Sequence, residues 1–544
     1  MYDPHTLQVL VLLGVSVLAA TVLARRLRVA APVVLLVAGV GLGFVPALRD
    51  VKLAPEVVIL LFLPALLYWE ALTTSLREIR ADLRTVLLSS VVLVFVTAGA
   101  VAVVGHALGL SWPVAFVLGA VVAPTDASAV GAVIRRLHHG LPHRQLTILR
   151  AESLVNDGTA LVVFGIATAV ATGEEEFSWL SAAGDFSVSY GGGAVIGLVV
   201  AWVTLRTRRF MDDVVLENGI SVLTPFLAFL LAEEIHASGV LAVVVCGLAL
   251  TQAGPARIPA RTRVQAYAFW DLTTFLLNGA LFILVGLQLR GAVENLPHGS
   301  LFTTVITALA VAAAVIGSRV AWFYTVPYVI RAIDRRPAQR ERRMSARHRM
   351  PLAWSGFRGG VSLAAALAIP VTVMDGTEFP DRDALIVVTF GVILTTLLLQ
   401  GLTLPAVLRW ARMPDDDHMR AEQLLAERAA TEAGLARLTE IAERLDVPEA
   451  AINEVREDYE RRLELLTAAE SRESEAARHE RDHHLSGSLE PEPHTALRAE
   501  LLSIKRAAVI RLRDDRRIGD AVLLRVQARL DAEEVRLTAP STAD

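Results

Sequence analysis

Two carboxylates stand where carboxylates are expensive. Asp157 lies inside Leu149-Arg150-Ala151-Glu152-Ser153-Leu154-Val155-Asn156-Asp157-Gly158-Thr159-Ala160-Leu161-Val162-Val163-Phe164, a stretch long enough to cross a bilayer, and Asp126 lies in Val122-Ala123-Pro124-Thr125-Asp126-Ala127-Ser128. An ionisable group at membrane depth costs about 2.5–3.5 kcal/mol on insertion scales and persists where it faces a partner or a water-filled path. Two of them in neighbouring spans point to a cation site. Helical positions i and i+4 share a face, so Ser153 and Asp157 form one stripe and Glu152 and Asn156 the adjacent one. The first stripe offers hard oxygen ligands suited to Na+ or another small cation. The second suits a structural tie, in which a buried Glu152 needs a cationic partner or a proton.

Pro124 removes a backbone donor and frees carbonyls in the turn before it. In a membrane such an interruption is tolerated where it lines a cavity or is buried in protein. Thr125 and Asp126 thereby offer oxygens at the depth of Asp157. A second interruption reads Trp354-Ser355-Gly356-Phe357-Arg358-Gly359-Gly360-Val361-Ser362-Leu363. There Arg358 either neutralises Glu152 or snorkels to the interface. Glu70, at the end of Leu63-Pro64-Ala65-Leu66-Leu67-Tyr68-Trp69-Glu70, is either an interfacial charge beside two aromatic rings or a further ligand of the site.

The elements that position these groups are membrane spans. The 544 residues are 54% hydrophobic with a mean hydropathy of +0.50, too apolar for a soluble protein of this length. A net charge of −4 makes no electrostatic case for nucleic acid. The single cysteine, Cys246, excludes an internal disulfide, and the pairs His138-His139 and His483-His484 lack metal-ligand spacing. No nucleotide-binding loop or nucleophile elbow is present, so neither an enzyme nor a bound cofactor is expected.

Runs of roughly 20 apolar residues give thirteen expected spans: 7–24, 30–48, 54–72, 85–108, 111–134, 146–172, 183–205, 218–236, 239–254, 264–289, 301–328, 351–374 and 384–409. The first reads as a retained helix rather than a signal peptide, since no basic segment precedes it. Odd-numbered spans are followed by basic loops: Arg25, Arg26 and Arg28; Arg77, Arg80 and Arg84; Arg135, Arg136 and Arg144; Arg206, Arg208 and Arg209; Arg257, Arg261 and Arg263; and the cluster from Arg331 to Arg349. Even-numbered spans are followed by neutral or acidic ones, such as Glu174-Glu175-Glu176. Basic loops mark the cytoplasmic side, which puts the N-terminus outside and the C-terminus in the cytoplasm. The expectation is an all-α, multi-pass protein of the cell (plasma or inner) membrane, with a transmembrane domain over 1–412 and a cytoplasmic helical domain over 413–544. In the latter, Ala421–Leu445, Pro448–Arg478 and Thr495–Leu537 carry helical spacing, Leu485–Pro493 is a break, Ala539–Asp544 frays, and the mixed charges read as a solvated helix surface. The two interrupted spans, seven apart, suggest inverted repeats of spans 1–6 and 8–13, a pointer to a transporter's binding site.

Over roughly residues 5–410 the chain resembles the monovalent cation/proton antiporter family, the branch holding bacterial NhaP-type antiporters and eukaryotic sodium/hydrogen exchangers. Glu152-Ser153-Leu154-Val155-Asn156-Asp157-Gly158 is similar to its Asn-Asp segment, Pro124-Thr125-Asp126 to its unwound Thr-Asp segment, Gly356-Phe357-Arg358-Gly359-Gly360 to its arginine segment, and Leu63-Pro64 through Glu70 to its third-helix carboxylate segment. The resemblance implies an NhaA-like antiporter fold with unwound crossing helices. It also implies a homodimer, with a dimer domain and a moving six-helix core. Asp157 is then the principal ligand of Na+, Li+ or K+ and of H+, with Asp126, Ser153, the Thr125 carbonyl and Glu70 completing the shell. Asn156 braces the unwound strand, and Glu152 pairs with Arg358. Relatives have Asp-Pro where this chain has Asp126-Ala127, so the unwinding here leans on Pro124. Asn156, neutral where electrogenic relatives carry a second aspartate, implies one-for-one electroneutral exchange. Two other classes use intramembrane acids. An intramembrane aspartyl protease needs a Gly-x-Gly-Asp segment, and a cation channel needs a filter loop; the sequence has neither.

Overall fold

The computed structural model describes residues 4–27, 29–45, 57–134, 141–211, 213–254, 258–296, 301–333, 344–413, 417–471 and 495–538. Arg28, Arg135, Arg136 and Arg257 of the basic loops, both histidine pairs, the break at Leu485–Pro493 and Ala539–Asp544 lie outside the described residues.

Among those residues the regular structure is helical apart from one isolated bridge between Thr372 and Glu378. Helix is the form in which an apolar run satisfies its backbone N–H and C=O groups without water. In chain order the apolar helices begin with α1 (Pro4–Leu27), α2 (Ala31–Leu42) and α3 (Val58–Leu72), followed by a connector, α4 (Leu76–Ala81). Next come α5 (Leu83–Ala107), the half-helices α6 (Trp112–Val122) and α7 (Ala127–Ile134), and α8 (His143–Thr172). Then follow α9 (Trp179–Arg208), α10 (Val214–Glu233), α11 (Gly239–Ala253), α12 (Ala260–Glu294) and α13 (Leu301–Ile333). A second interrupted pair, α14 (Ala346–Trp354) and α15 (Gly360–Leu367), precedes α16 (Arg382–Ala411). Nine helical stretches among the described residues, α6 with α7 counted as one, are long and apolar enough to cross a membrane; α2, α3 and α11 are shorter apolar helices. The chain is thus an all-α, polytopic membrane protein. Its outward faces carry apolar side chains, among them Leu10, Val15 and Leu18 on α1, Trp202 on α9 and Phe302 on α13.

The helices pack as two groups. One contains α1, α2, α3 and α9–α12; the other contains α5–α8 and α13–α16. In the first, α2 and α12 meet through glycines, because a Cβ on Gly39 would overlap the Ile283 carbonyl and one on Gly286 the Leu36 carbonyl. Small residues permit this backbone approach where apolar side chains gain nothing over lipid. The second group holds both interruptions. The groups meet where α8 packs on α11 and where α15 and α16 pack on α12.

The remaining helices are α17 (Asp417–Arg444), α18 (Glu449–Ser471), α19 (Thr495–Asp514) and α20 (Asp520–Thr538). Their cores include Ala426, Leu502, Val509, Leu523 and Val526, and separately Leu438, Ile441, Val455, Leu497 and Leu501. The run Thr495–Leu537, expected as one helix, is two. It breaks at Asp515–Gly519, where Arg516 adopts φ +61 and the chain reverses. The charges expected as a solvated surface are partly interior. Asp531, Lys505, Arg513, Asp520 and Gln527 are buried, because α20 packs on α12 and α19. Arg263 of α12 grips Asp531 through two bonds of 2.8 and 2.5 Å, and Arg506 joins them at 2.9 Å.

Candidate functional site

The two interruptions lie against each other. After Val122 the backbone leaves the helix and re-enters it at Ala127; the second interruption runs from Ser355 to Gly359. The N–H of Asp126 donates to the carbonyl of Phe357 at 2.8 Å, joining the two crossings through backbone. A Cβ on Gly359 would overlap the Asp126 carboxylate, and one on Gly360 would overlap Leu281. Glycine at these positions is therefore what allows the crossing.

Side chains cap both helix ends of the first interruption. Asp126 Oδ1 accepts from the N–H groups of Ser128 (2.9 Å) and Ala129 (3.1 Å) and from the Ser128 hydroxyl (2.5 Å), which places a carboxylate at the N-terminus of α7. Arg358 serves the opposite polarity. Its Nε donates to the Val122 carbonyl at 2.9 Å and its other nitrogens to the carbonyls of Ala123 (3.4 Å) and Gly356. A cation at the C-terminal end of α6 offsets the partial negative charge of the exposed carbonyls. Thr396 Oγ1, where α16 takes a π-helical turn over Thr396–Gln400, accepts from the Arg358 N–H at 3.3 Å. π-Helical turns recur at functional sites.

α8 faces the first interruption with its polar stripes. Ser153 Oγ donates to the Thr125 carbonyl at 2.8 Å and accepts from the Ala127 N–H at 3.3 Å. Asn156 Nδ2 donates to Thr125 Oγ1 at 2.8 Å, and that hydroxyl donates to Glu152 at 3.4 Å. Thr125 is thus held on both its carbonyl and its hydroxyl by one helix.

Glu152 does not pair with Arg358. Its carboxylate, fully buried, takes two bonds from Arg319 of α13, one of them at 3.3 Å, and Arg319 also donates to the Leu352 carbonyl. The physical reason is that Arg358 is occupied by the carbonyls at the helix ends, while Arg319 reaches Glu152 from the neighbouring helix. Arg319 was missed, although its signal was the one that singled out Asp157: an ionisable residue in mid-span of an apolar helix.

Asp157 itself is 4% exposed, and its Oδ1 and the Oδ1 of Asn156 have no hydrogen-bond partner among the described residues. Glu70 and Asp126 lie within electrostatic reach of Asp157 and of each other. Three carboxylates so placed repel when all are ionised, and a bound cation or proton relieves the repulsion. Ser153 and the Thr125 carbonyl are hydrogen-bonded to each other. Pro124 is buried in the break, and Tyr190 of α9 makes a hydrogen bond to Thr159 and another, of 3.2 Å, to the Val155 carbonyl.

Buried oxygen donors at the crossing of two interrupted helices, in a polytopic all-α membrane protein, are the apparatus of a secondary transporter of small cations. Comparison with known proteins is specific. The family model for the sodium/hydrogen exchanger, transmembrane, matches residues 13–410. A Mycobacterium tuberculosis (H37Rv) protein described as an uncharacterised Na+/H+ exchanger is 44% identical over 542 residues, 99% of this chain and 97% of its own. The Na+/H+ antiporter ApNhaP of Aphanothece halophytica is 33% identical over 421 residues, 75% of each chain. The fold is similar to that of the sodium proton antiporter MjNhaP1 of Methanocaldococcus jannaschii, with a TM-score of 0.60 at 19% identity, covering 75% of this chain and 99% of that one. The chain belongs to the sodium/hydrogen exchanger family.

Proposed function

We propose that this protein exchanges Na+, or Li+ or K+, for H+ across the membrane by competition at Asp157. The observation that carries the reading is the buried carboxylate oxygen of Asp157, unpaired among the described residues and flanked by Asp126 and Glu70. A buried acceptor left unsatisfied costs about 1–3 kcal/mol, and either a proton or a metal cation satisfies it. Protonated Asp157 is neutral and does not hold a cation; ionised Asp157 does. Asp126, Glu70, Ser153 and the Thr125 carbonyl complete the cation shell, the last two by giving up the bond between them. Pro124, Asn156, Glu152 and Arg358 hold the shell in place, the last at the helix ends.

Movement follows from the two packed groups. The group with α5–α8 and α13–α16 is the moving core, and it crosses when Asp157 is loaded or protonated. The ionised, empty site does not cross, because its charge is uncompensated in lipid. With Asn156 neutral, one cation exchanges for one proton without net charge transfer. The chain crosses the membrane thirteen times in two inverted repeats, with residues 1–412 as the transport domain. Residues 413–544 form a cytoplasmic domain, a reading supported by its contacts with Arg77 and Arg263 on the side of the basic loops. The protein works as a homodimer, which cross-linking in native membranes tests.

The experiment for the exchange itself is reconstituted flux with Na+, Li+ and K+ in turn across a pH series, with membrane potential clamped. Saturable, pH-coupled exchange that disappears in Asp157→Asn is expected. Retained exchange in that variant would remove Asp157 from its role.

A further inference from the structure

Glu78, on the connector α4, joins three parts of the chain. Its Oε2 lies 2.9 Å from Nε2 of His143 and accepts from Thr147 Oγ1 at 2.7 Å. Both partners sit at the start of α8, the helix that carries Asp157. On its other side the carboxylate accepts from the backbone N–H of Ala521, in the first turn of α20. Two more bonds join the connector region to the start of α20 and the turn before it: Ser75, the N-cap of α4, donates through Oγ to Asp520 at 2.7 Å, and Arg77 donates to the Ile518 carbonyl at 3.2 Å. At its far end α20 is fixed to α12 by the buried Arg263–Asp531 pair. α12 and α20 therefore form one body with the static group of helices, and Glu78 ties that body to the first turns of the moving helix.

We propose that Glu78 is a positioning residue for transport. Through His143 and Thr147 it holds the start of α8 against the docked α20, and so slows the crossing. The inference rests on the reading of α8 as part of the moving core. Glu78 keeps its charge. Burial alone would raise its carboxyl, but the hydrogen bond and charge of His143, the Thr147 hydroxyl and the Ala521 N–H outweigh burial and hold it below the usual carboxylate range. The ionised Glu78 carboxylate accepts charge-assisted bonds from its donors, roughly twice as strong as neutral ones. Other charges around the pair are already engaged. Asp82 is held by Arg144 through bonds of 2.8 and 2.6 Å, Asp520 by Ser75, and Glu422 by the Gly519 N–H at 2.7 Å. Glu78 and Glu422 converge on Gly519, each with an oxygen 3.4 Å from where its Cβ would stand.

The test is turnover and apparent Na+ affinity of the full-length protein in proteoliposomes, for wild type, Glu78→Gln, His143→Gln and the double variant. Expected is a turnover several-fold above wild type in each single variant. Na+ affinity is unchanged, and the double variant is no faster than either single one. Hydrogen exchange over α20 reports docking, and Glu78→Gln should loosen it. Should Glu78→Gln fail to fold, His143→Gln carries the same comparison alone. A turnover that coincides with wild type, or a changed Na+ affinity with unchanged turnover, would overturn the proposal. A wild type without Na+-coupled proton flux would instead overturn the exchange reading on which it rests.

Discussion

At the scale of single residues, the site is a division of labour among charges. Asp157 keeps an oxygen free to be titrated or ligated. Glu152, one turn earlier, has none to spare, because Arg319 holds it in a buried ion pair. Breaking such a pair by removing one partner leaves an uncompensated interior charge, at a cost of about 3–5 kcal/mol. Arg319→Met should therefore lower thermal stability by about that much, and Arg319→Met combined with Glu152→Gln should recover most of it, measured by unfolding in detergent. Reading the chain alone identified Asp157, Asp126 and Glu152 from their depth in apolar runs. It left Arg358 as either the partner of Glu152 or an interfacial charge, and the family resemblance implied the pair; Arg319, in an uninterrupted helix, is the partner instead. Depth in a span tells that a charge needs a partner; it does not tell which neighbouring helix supplies it.

At the scale of elements, the interruptions matter more than the helices. Both were legible, one from Pro124 and the other from Gly356, Gly359 and Gly360, since proline removes a donor and glycine weakens a helix. Their mutual contact was not legible, because the Asp126–Phe357 bond joins backbone atoms that any residues possess. Gly359→Ala would push a methyl into Asp126. The expected result is destabilisation by about 1–3 kcal/mol together with loss of most transport in everted vesicles. The turn between α19 and α20 was likewise hidden, inside a run with unbroken helical spacing. Lys505 on α19 makes a different prediction. Burial first, then nearby Arg462 and Arg498 against the pull of Glu533, push its amine down to about 8, while Nζ sits 3.8 Å from the Tyr459 ring centroid. A base whose folded pKa is depressed binds fewer protons in the folded state than in the unfolded one. Stability therefore rises with pH between about 8 and 10.4 and is lower by roughly 3 kcal/mol below that window. Lys505→Met should remove this slope from the unfolding of the helices in 417–538, followed by hydrogen exchange across that window.

At the scale of the whole molecule, two groups of membrane helices share an interface, and the C-terminal helices are fastened to one of them. The apolar runs and their basic loops suggested the helical bundle, because hydrophobic length and positive charge act locally. The docking of 417–538 rests on pairs more than 250 residues apart, such as Arg263–Asp531, and no local pattern announces it. Asp531→Ala takes from the buried Arg263 its carboxylate partner, and α20 should then become a site of rapid proteolysis while the membrane helices stay intact. The account as a whole depends on proton and cation sharing one carboxylate. The most direct measurement is proton release from purified protein in weak buffer when NaCl, rather than choline chloride, is added. The account predicts close to one proton released per Na+ bound at a pH where the site is protonated, falling away at alkaline pH and absent in Asp157→Asn. Na+ binding without proton release, or equal release from Asp157→Asn, would contradict it.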